Sequence, residues 1–296
     1  MHNNFDSIHL DFEAIEQKLA LQTRPKSKSR LSRLISKYFV GGLLWFGVYK
    51  KLVDAGFIRG WLDEFEVFWS QVLEGRPLYF HDFHYLLGVY RQKFQVVETP
   101  EIDDPEGFLE SWTSDNSVYQ LFGAVRRYGQ MPLDGIRIEP FVKEGGTVLE
   151  FGSGIAPFSY YLVNYCYKKP SQIHFADIPQ LNWYYARSRL PEEVEAIKLD
   201  LLNNKLNACQ YDLVVMMAVM EHLPRPLDTV MDIWAALRPG GFLCLDYILG
   251  DGDGQDTIAA VAQRSEIISF FSEKFVVVKG EISIQQSMGF TVLKKV

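Results

Sequence analysis

Gly146-Thr147-Val148-Leu149-Glu150-Phe151-Gly152-Ser153-Gly154-Ile155-Ala156-Pro157 is the stretch on which the fold of this chain turns. Apolar residues lead up to an acid, Glu150, and a Gly-x-Gly turn follows at once. Pro157 then opens an apolar, aromatic segment, as expected where proline starts a helix. The pattern predicts a buried strand, a tight turn and a helix. In open α/β sheets such a turn, at the carboxyl end of a parallel strand, is where ligands bind. Glycines there lack a Cβ and let a ligand lie against the backbone.

Downstream, short apolar runs alternate with helix-length segments. Strands are predicted over 147–151, 172–176, 196–200, 211–217, 241–247, 275–280 and 290–295. Strand–helix alternation implies a parallel sheet with helices on both faces. The last two strands are joined by a short irregular link, which predicts an antiparallel pair at the end of the sheet.

The strand ends carry the chemistry. A dinucleotide-binding turn reads Gly-x-Gly-x-x-Gly, but here the third glycine position is Pro157, so that fingerprint fails. The second strand ends on Asp177, where an acid can accept hydrogen bonds from a ribose diol. The third ends on Asp200 and Leu201, an acid and an apolar residue suited to an adenine amine and ring. Tyr211-Asp212-Leu213-Val214 runs through Met217 and Ala218 into Glu221-His222-Leu223. A helix then ends in Leu237-Arg238-Pro239-Gly240-Gly241.

In order and spacing, this set resembles the class I S-adenosylmethionine-dependent methyltransferases, over about residues 145–296. The resemblance implies a Rossmann-like α/β fold: a seven-stranded, mostly parallel sheet with an antiparallel last strand. It implies S-adenosyl-L-methionine as cofactor. Gly152, Ser153 and Gly154 would line the methionine moiety, and Glu150 would help hold the turn and the amino group. Asp177 would bind the ribose hydroxyls, Asp200 and Leu201 would contact adenine, and Met217 and Ala218 would pass under the sulfonium. Many members carry a third glycine where this chain has Ala156.

His222, at the rim after the fourth strand, is the candidate general base, since an imidazole titrates near about 6.5; Glu221 would orient it or share the role. The alternative for His222 is a purely structural part. Asp246 and Tyr247, ending the fifth strand, are further candidates at the site. His81-Asp82-Phe83-His84 and Asp251-Gly252-Asp253-Gly254 carry metal-ligating residue types. The first lacks a third partner and the second lacks the closing acid of a calcium loop, so no metal site is expected.

The region before Gly146 reads as helical, with Trp61, Phe65, Phe68 and Trp69 at helical spacing and an acidic, proline-containing link over 96–106. Residues 1–105 are expected to form an accessory cap and 106–296 the methyltransferase domain. A helix is predicted from Asn116 to about Tyr128. Trp112, Tyr119 and Arg126–Arg127 either close over the cofactor and substrate or build the helical core. From Arg24 to Lys37 there are six basic residues and no acid. Leu31, Leu34, Ile35, Tyr38 and Phe39 share one helical face, opposite Arg30, Arg33 and Lys37. Such a helix over 24–51, beside Trp45 and Phe46, can lie on an anionic membrane or bury its apolar face in its own domain.

With 296 residues, 48% of them hydrophobic, the chain can bury a sizeable core. The net charge of −7 argues against nucleic acid as partner, as does the lack of an Asn-Pro-Pro-Tyr-like tetrapeptide after the fourth strand. Cys166, Cys209 and Cys244 show no disulfide or zinc spacing, and a cytoplasmic chain fits best. The uncharged stretch Tyr38 to Tyr49 is far shorter than the about 20 residues of a spanning helix. The expected function is methylation of a small molecule or glycan, foremost on oxygen. Alternatives are N- or C-methylation of a small natural-product-like substrate, or a non-catalytic binding module.

Overall fold

Five strands of the sheet run parallel. They are β1 (Thr147–Phe151), β2 (Gln172–Asp177), β3 (Val194–Lys198), β4 (Tyr211–Met216) and β5 (Leu237–Tyr247). With β6 (Phe275–Lys279) and β7 (Met288–Lys295) they form a seven-stranded sheet in the order β3-β2-β1-β4-β5-β7-β6. β7 runs antiparallel to both β5 and β6. This computed structural model describes residues 8–79, 81–83, 85, 86, 88, 89, 105–200, 206–249 and 256–296. Strand order reverses between β1 and β4, so the crevice of an open α/β sheet opens above their carboxyl ends.

The predicted strands are all present, and their ends shift for identifiable reasons. β3 stops at Lys198 rather than 200, because β2 ends opposite it at Asp177 and offers no further partner. β4 stops at Met216, since Ala218 turns into the left-handed region (φ +55°) and its N–H donates to Asp246 Oδ1 at 2.6 Å. β5 begins at Leu237; Leu237 pairs with Tyr211 and Phe242 with Leu213, and the predicted Pro-Gly-Gly turn bulges between them.

The helices are α1 (Phe12–Leu21), α2 (Arg30–Trp45), α3 (Tyr49–Asp54), α4 (Gly60–Gln71), α5 (Pro105–Thr113) and α6 (Ser117–Gln130) before the sheet. Within it come α7 (Pro157–Asn164), α8 (Leu181–Arg189), α9 (Pro226–Ala236), α10 (Ile258–Ala262) and α11 (Arg264–Lys274). α4 and α6 build an aromatic core in which Phe65 and Phe122 meet edge-on at 5.1 Å and Phe65 meets Tyr185 of α8 at 5.4 Å. One hydrophobic cluster runs from Leu62, Phe65 and Trp69 through Leu121 and Phe122 to Phe175, Trp183 and Val194. The N-terminal helices thus share their core with the β2–β3 side of the sheet.

Of the two alternatives for α2, burial of the apolar face in its own domain is not what the structure shows. The inward residues of the helix are Arg33, which is buried and donates to Leu162 O, and Lys37, which pairs with Glu139. Val40 and Leu44 pack on the cluster of Leu133, Ile138 and Tyr161. Leu31, Ile35, Tyr38 and Phe39 point to solvent. The buried Glu139 carboxylate, which also accepts from Tyr161 Oη at 2.9 Å, requires a cation, and Lys37 supplies it. Among the described residues no helix is long and apolar enough to cross a membrane.

Candidate active site

The first turn is built for close approach. Gly152 has φ +62°, and a Cβ there would lie 2.5 Å from Val219 Cγ2, so no larger residue fits. Gly154 also has positive φ (+52°), but a Cβ there would meet nothing within 4 Å. The space it faces belongs to a cavity of roughly 570 Å³ walled by the carboxyl ends of β1, β2 and β4 and by α6, within the usual range for small-molecule sites. Glu150, Gly152, Ser153 and Gly154 all line it.

Glu150 holds the turn through the next helix. Its carboxylate accepts from the N–H groups of Phe158 (3.1 Å) and Ser159 (2.6 Å) at the start of α7. Burial pushes this carboxyl up to about 7, against those hydrogen bonds. Ala156, where the resemblance implied a glycine in many members, takes the left-handed conformation (φ +52°) just before α7, a modest local strain for a residue with a Cβ.

Asp177 braces the same turn from β2. Its Oδ2 accepts from Gly154 N–H at 2.6 Å and its Oδ1 from Ile178 N–H at 2.8 Å and Gln180 Nε2 at 3.1 Å. Burial raises it to about 6. Around it several buried polar atoms have no protein partner: Ser153 Oγ, Gln180 Oε1, Asn182 Oδ1 and both polar side-chain atoms of Gln120. All four residues line the cavity. Buried polar atoms are normally satisfied, so these are groups a polar ligand would complete.

Of the adenine candidates, Asp200 is exposed beyond the end of β3 and is not in the cavity wall, where Leu199 stands instead. Leu201 lies outside the described residues. Gln120 was not foreseen, although its signal is plain: Gln120, Gly123, Ala124, Arg127 and Tyr128 follow helical spacing and form the α6 wall.

The third side is the rim after β4, where Met217, Ala218, Val219 and His222 line the cavity. His222 Nδ1 lies 3.3 Å from Asp256 Oδ1, and the Trp112 ring meets the imidazole edge-on at 5.4 Å. Asp256, unforeseen in the sequence, is brought here by Thr257. The Thr257 N–H donates to Glu221 O at 2.8 Å and its hydroxyl to Leu223 O at 2.6 Å. Glu221 itself is buried outside the cavity wall and pushed up to about 7 by burial, against the pull of His222.

Tyr119 and Tyr247 do not reach the cavity. Tyr119 is packed in the aromatic core, and Tyr247 is fully buried with its hydroxyl donating to Ala260 O. Asp82 accepts from Arg76 and from Tyr79 N–H, a local structural role. His84 and the Asp251–Gly254 segment lie outside the described residues. Among the described residues no three His, Cys, Asp or Glu side chains could hold a metal ion.

Five carboxyls held high by burial, those of Glu64, Glu150, Asp177, Glu221 and Asp246, have a consequence for stability. Each binds a proton in the fold at pH values where the unfolded chain has lost it. The ligand-free protein should therefore gain stability as pH falls through 7 towards 6, and continue until the ordinary carboxylate range near 4. His174, depressed by burial, opposes this with a single group. Calorimetry should show the melting temperature higher at pH 6 than at pH 8 by about 3 °C or more. A flat or reversed trend would show that these carboxylates are not desolvated.

A family model described as "Methyltransferase domain" matches residues 126–277. No curated protein matches the chain. Solved structures similar to it include a SAM-dependent methyltransferase from Aquifex aeolicus, 18% identical, covering 55% of this chain and 90% of that one at a TM-score of 0.43. Another is an S-adenosylmethionine-dependent methyltransferase from Mesorhizobium loti, 11% identical, covering 54% and 96% at 0.39. Since the family model spans just over half of the chain, including the strand ends that wall the cavity, the chain belongs to the methyltransferase-domain family and is an S-adenosylmethionine-dependent methyltransferase.

Proposed function

We propose that the chain methylates a hydroxyl group of a small molecule or sugar, with His222 taking the hydroxyl proton. The observation that carries this reading is the imidazole in the cavity wall with Asp256 at its Nδ1. A carboxylate there favours the tautomer whose Nδ1 is protonated and leaves Nε2 as the acceptor.

The donor fits the residues present. Ser153, Gln120 and Asn182, each with a buried side-chain atom lacking a protein partner, line the cavity, and Gly154 contributes no side chain to it. Asp177 and Gln180 would hold the ribose hydroxyls, and Met217 and Ala218 would bound the reacting end. When bound, the donor's sulfonium supplies an activated methyl group for in-line displacement. The chain's part is to align the acceptor oxygen, keep water out and remove its proton. Trp112 covers the imidazole, and the α6 wall bounds the remaining space. The overall charge of −7 disfavours a nucleic-acid acceptor.

The test is methyl transfer from labelled donor to a panel of hydroxylated small molecules and free sugars, with products read by mass spectrometry. O-methylated product is expected. Methylation only on nitrogen or carbon would overturn the acceptor assignment. Donor binding without turnover on any acceptor would favour a binding module.

A further inference from the structure

The outward face of α2 has no role in the site described above, and it is the most apolar exposed surface near the N-terminus. Leu31, Ile35, Tyr38, Trp45 and Phe46 follow one another at helical spacing on the side away from the domain. Trp45 is 86%, Phe46 78% and Tyr38 75% exposed. Phe39 and Phe57 extend the patch. Soluble surfaces rarely gather so many large apolar groups without a use for them. The helix is held in this orientation from beneath by Arg33, Lys37, Val40 and Leu44, so the face is presented already folded.

Its charge is as distinctive. Between Arg24 and Lys51 there are eight basic residues and no acid, in a chain of net charge −7. Arg33 and Lys37 are turned inward, whereas Lys26, Lys28 and Arg30 before the apolar stripe and Lys50 and Lys51 after it are exposed. An apolar stripe about 24 Å long with cations at both ends matches a surface that is greasy below and anionic at its rim.

We infer that α2 and the turn after it lie flat on an anionic phospholipid bilayer, apolar side chains in the acyl boundary and flanking lysines and arginines at the headgroups. A second copy of the chain fits less well. A symmetric contact through this face would set the cations of one copy against those of the other. RNA fits less well too, since the face itself is apolar and the cations stand only at its ends. The inference holds whatever the acceptor proves to be.

Co-sedimentation of the full chain with phosphatidylcholine vesicles, with or without phosphatidylglycerol, tests it. Binding is expected with the anionic vesicles only, and should fall with salt. The exposed pair Trp45→Ser/Phe46→Ser should lower partitioning by about tenfold or more with an unchanged melting temperature. Lys26→Gln/Lys28→Gln/Lys51→Gln should lower it by a similar factor. Absence of pelleting, equal pelleting of wild type and the apolar variant, or equal binding to both vesicle types would overturn the inference. So would self-association or RNA binding that the same apolar substitutions abolish while vesicle binding stays unchanged.

Discussion

Replacing His222 by glutamine should lower turnover by about a thousandfold while donor affinity stays within about twofold, since a positioned base contributes on the order of 10²–10⁴. Glutamine preserves a polar side chain of similar reach but cannot take a proton. His222 sits in the cavity wall between the Trp112 ring and Asp256, so the change leaves the glycine turn and Asp177 untouched. Asp256→Asn should cost less, about tenfold to a hundredfold, because it removes the group that orients the ring and not the ring itself. Its signature is a shifted pH–rate profile with little change in KM for the acceptor. Single-turnover rates across pH, paired with calorimetric donor titrations, separate these effects. Full activity in His222→Gln would move the proton to another group. Glu221, pushed up to about 7, and Asp246, also raised by burial, are the neighbours to test next.

Asp177→Ala should weaken donor binding by about a hundredfold, roughly 2.7 kcal/mol at 1.36 kcal/mol per tenfold. The carboxylate would do two jobs: it anchors the N–H groups of Gly154 and Ile178 and the Gln180 amide, and it would accept from the ribose. Alanine leaves those donors without an acceptor and removes the ligand contact together. Stability should suffer less than binding, because the buried carboxylate is already held above its ordinary range in the ligand-free fold, and removing it relieves that desolvation. Asp177→Asn, which keeps the shape and one acceptor, should fall between, at about tenfold. Isothermal titration with the donor checks both variants. Unchanged affinity in Asp177→Ala would mean that the ribose lies elsewhere in the cavity.

The strands and the glycine turn were legible because their chemistry is local. Val148 to Phe151 is apolar apart from Glu150, the turn needs Gly152, and Asp177 ends the neighbouring strand in register with it. What sequence could not supply was the set of facts that depend on what lies opposite. Asp200 was expected at the site, but an edge strand ends where its partner ends, and β2 ends at Asp177. Tyr119 and Tyr247 are aromatic residues near the site in sequence, yet packing turns both into the core. Glu221 was expected beside His222 at the rim; the 3₁₀ turn Met220–His222 sends it inward. In α2 the hydrophobic pattern identifies the apolar face correctly but not which face docks. That choice follows from Glu139, a buried acid far along the chain. Gln120 was legible in principle, as a polar residue on the helical stripe it shares with Gly123, Ala124 and Arg127.

The cluster that joins Phe65, Trp69 and Phe122 to Phe175, Trp183 and Val194 means that the helical cap is not an interchangeable module. Cutting the chain at residue 105 would bare the apolar faces of α6 and α8 to water. Cap and sheet domain should therefore melt in one cooperative transition, and a graft of this cap onto another domain would need the α6 and α8 faces to travel with it. Acceptor preference would then be tuned by single changes along the α6 wall, at positions such as Ala124 and Arg127, instead of by exchange of whole caps.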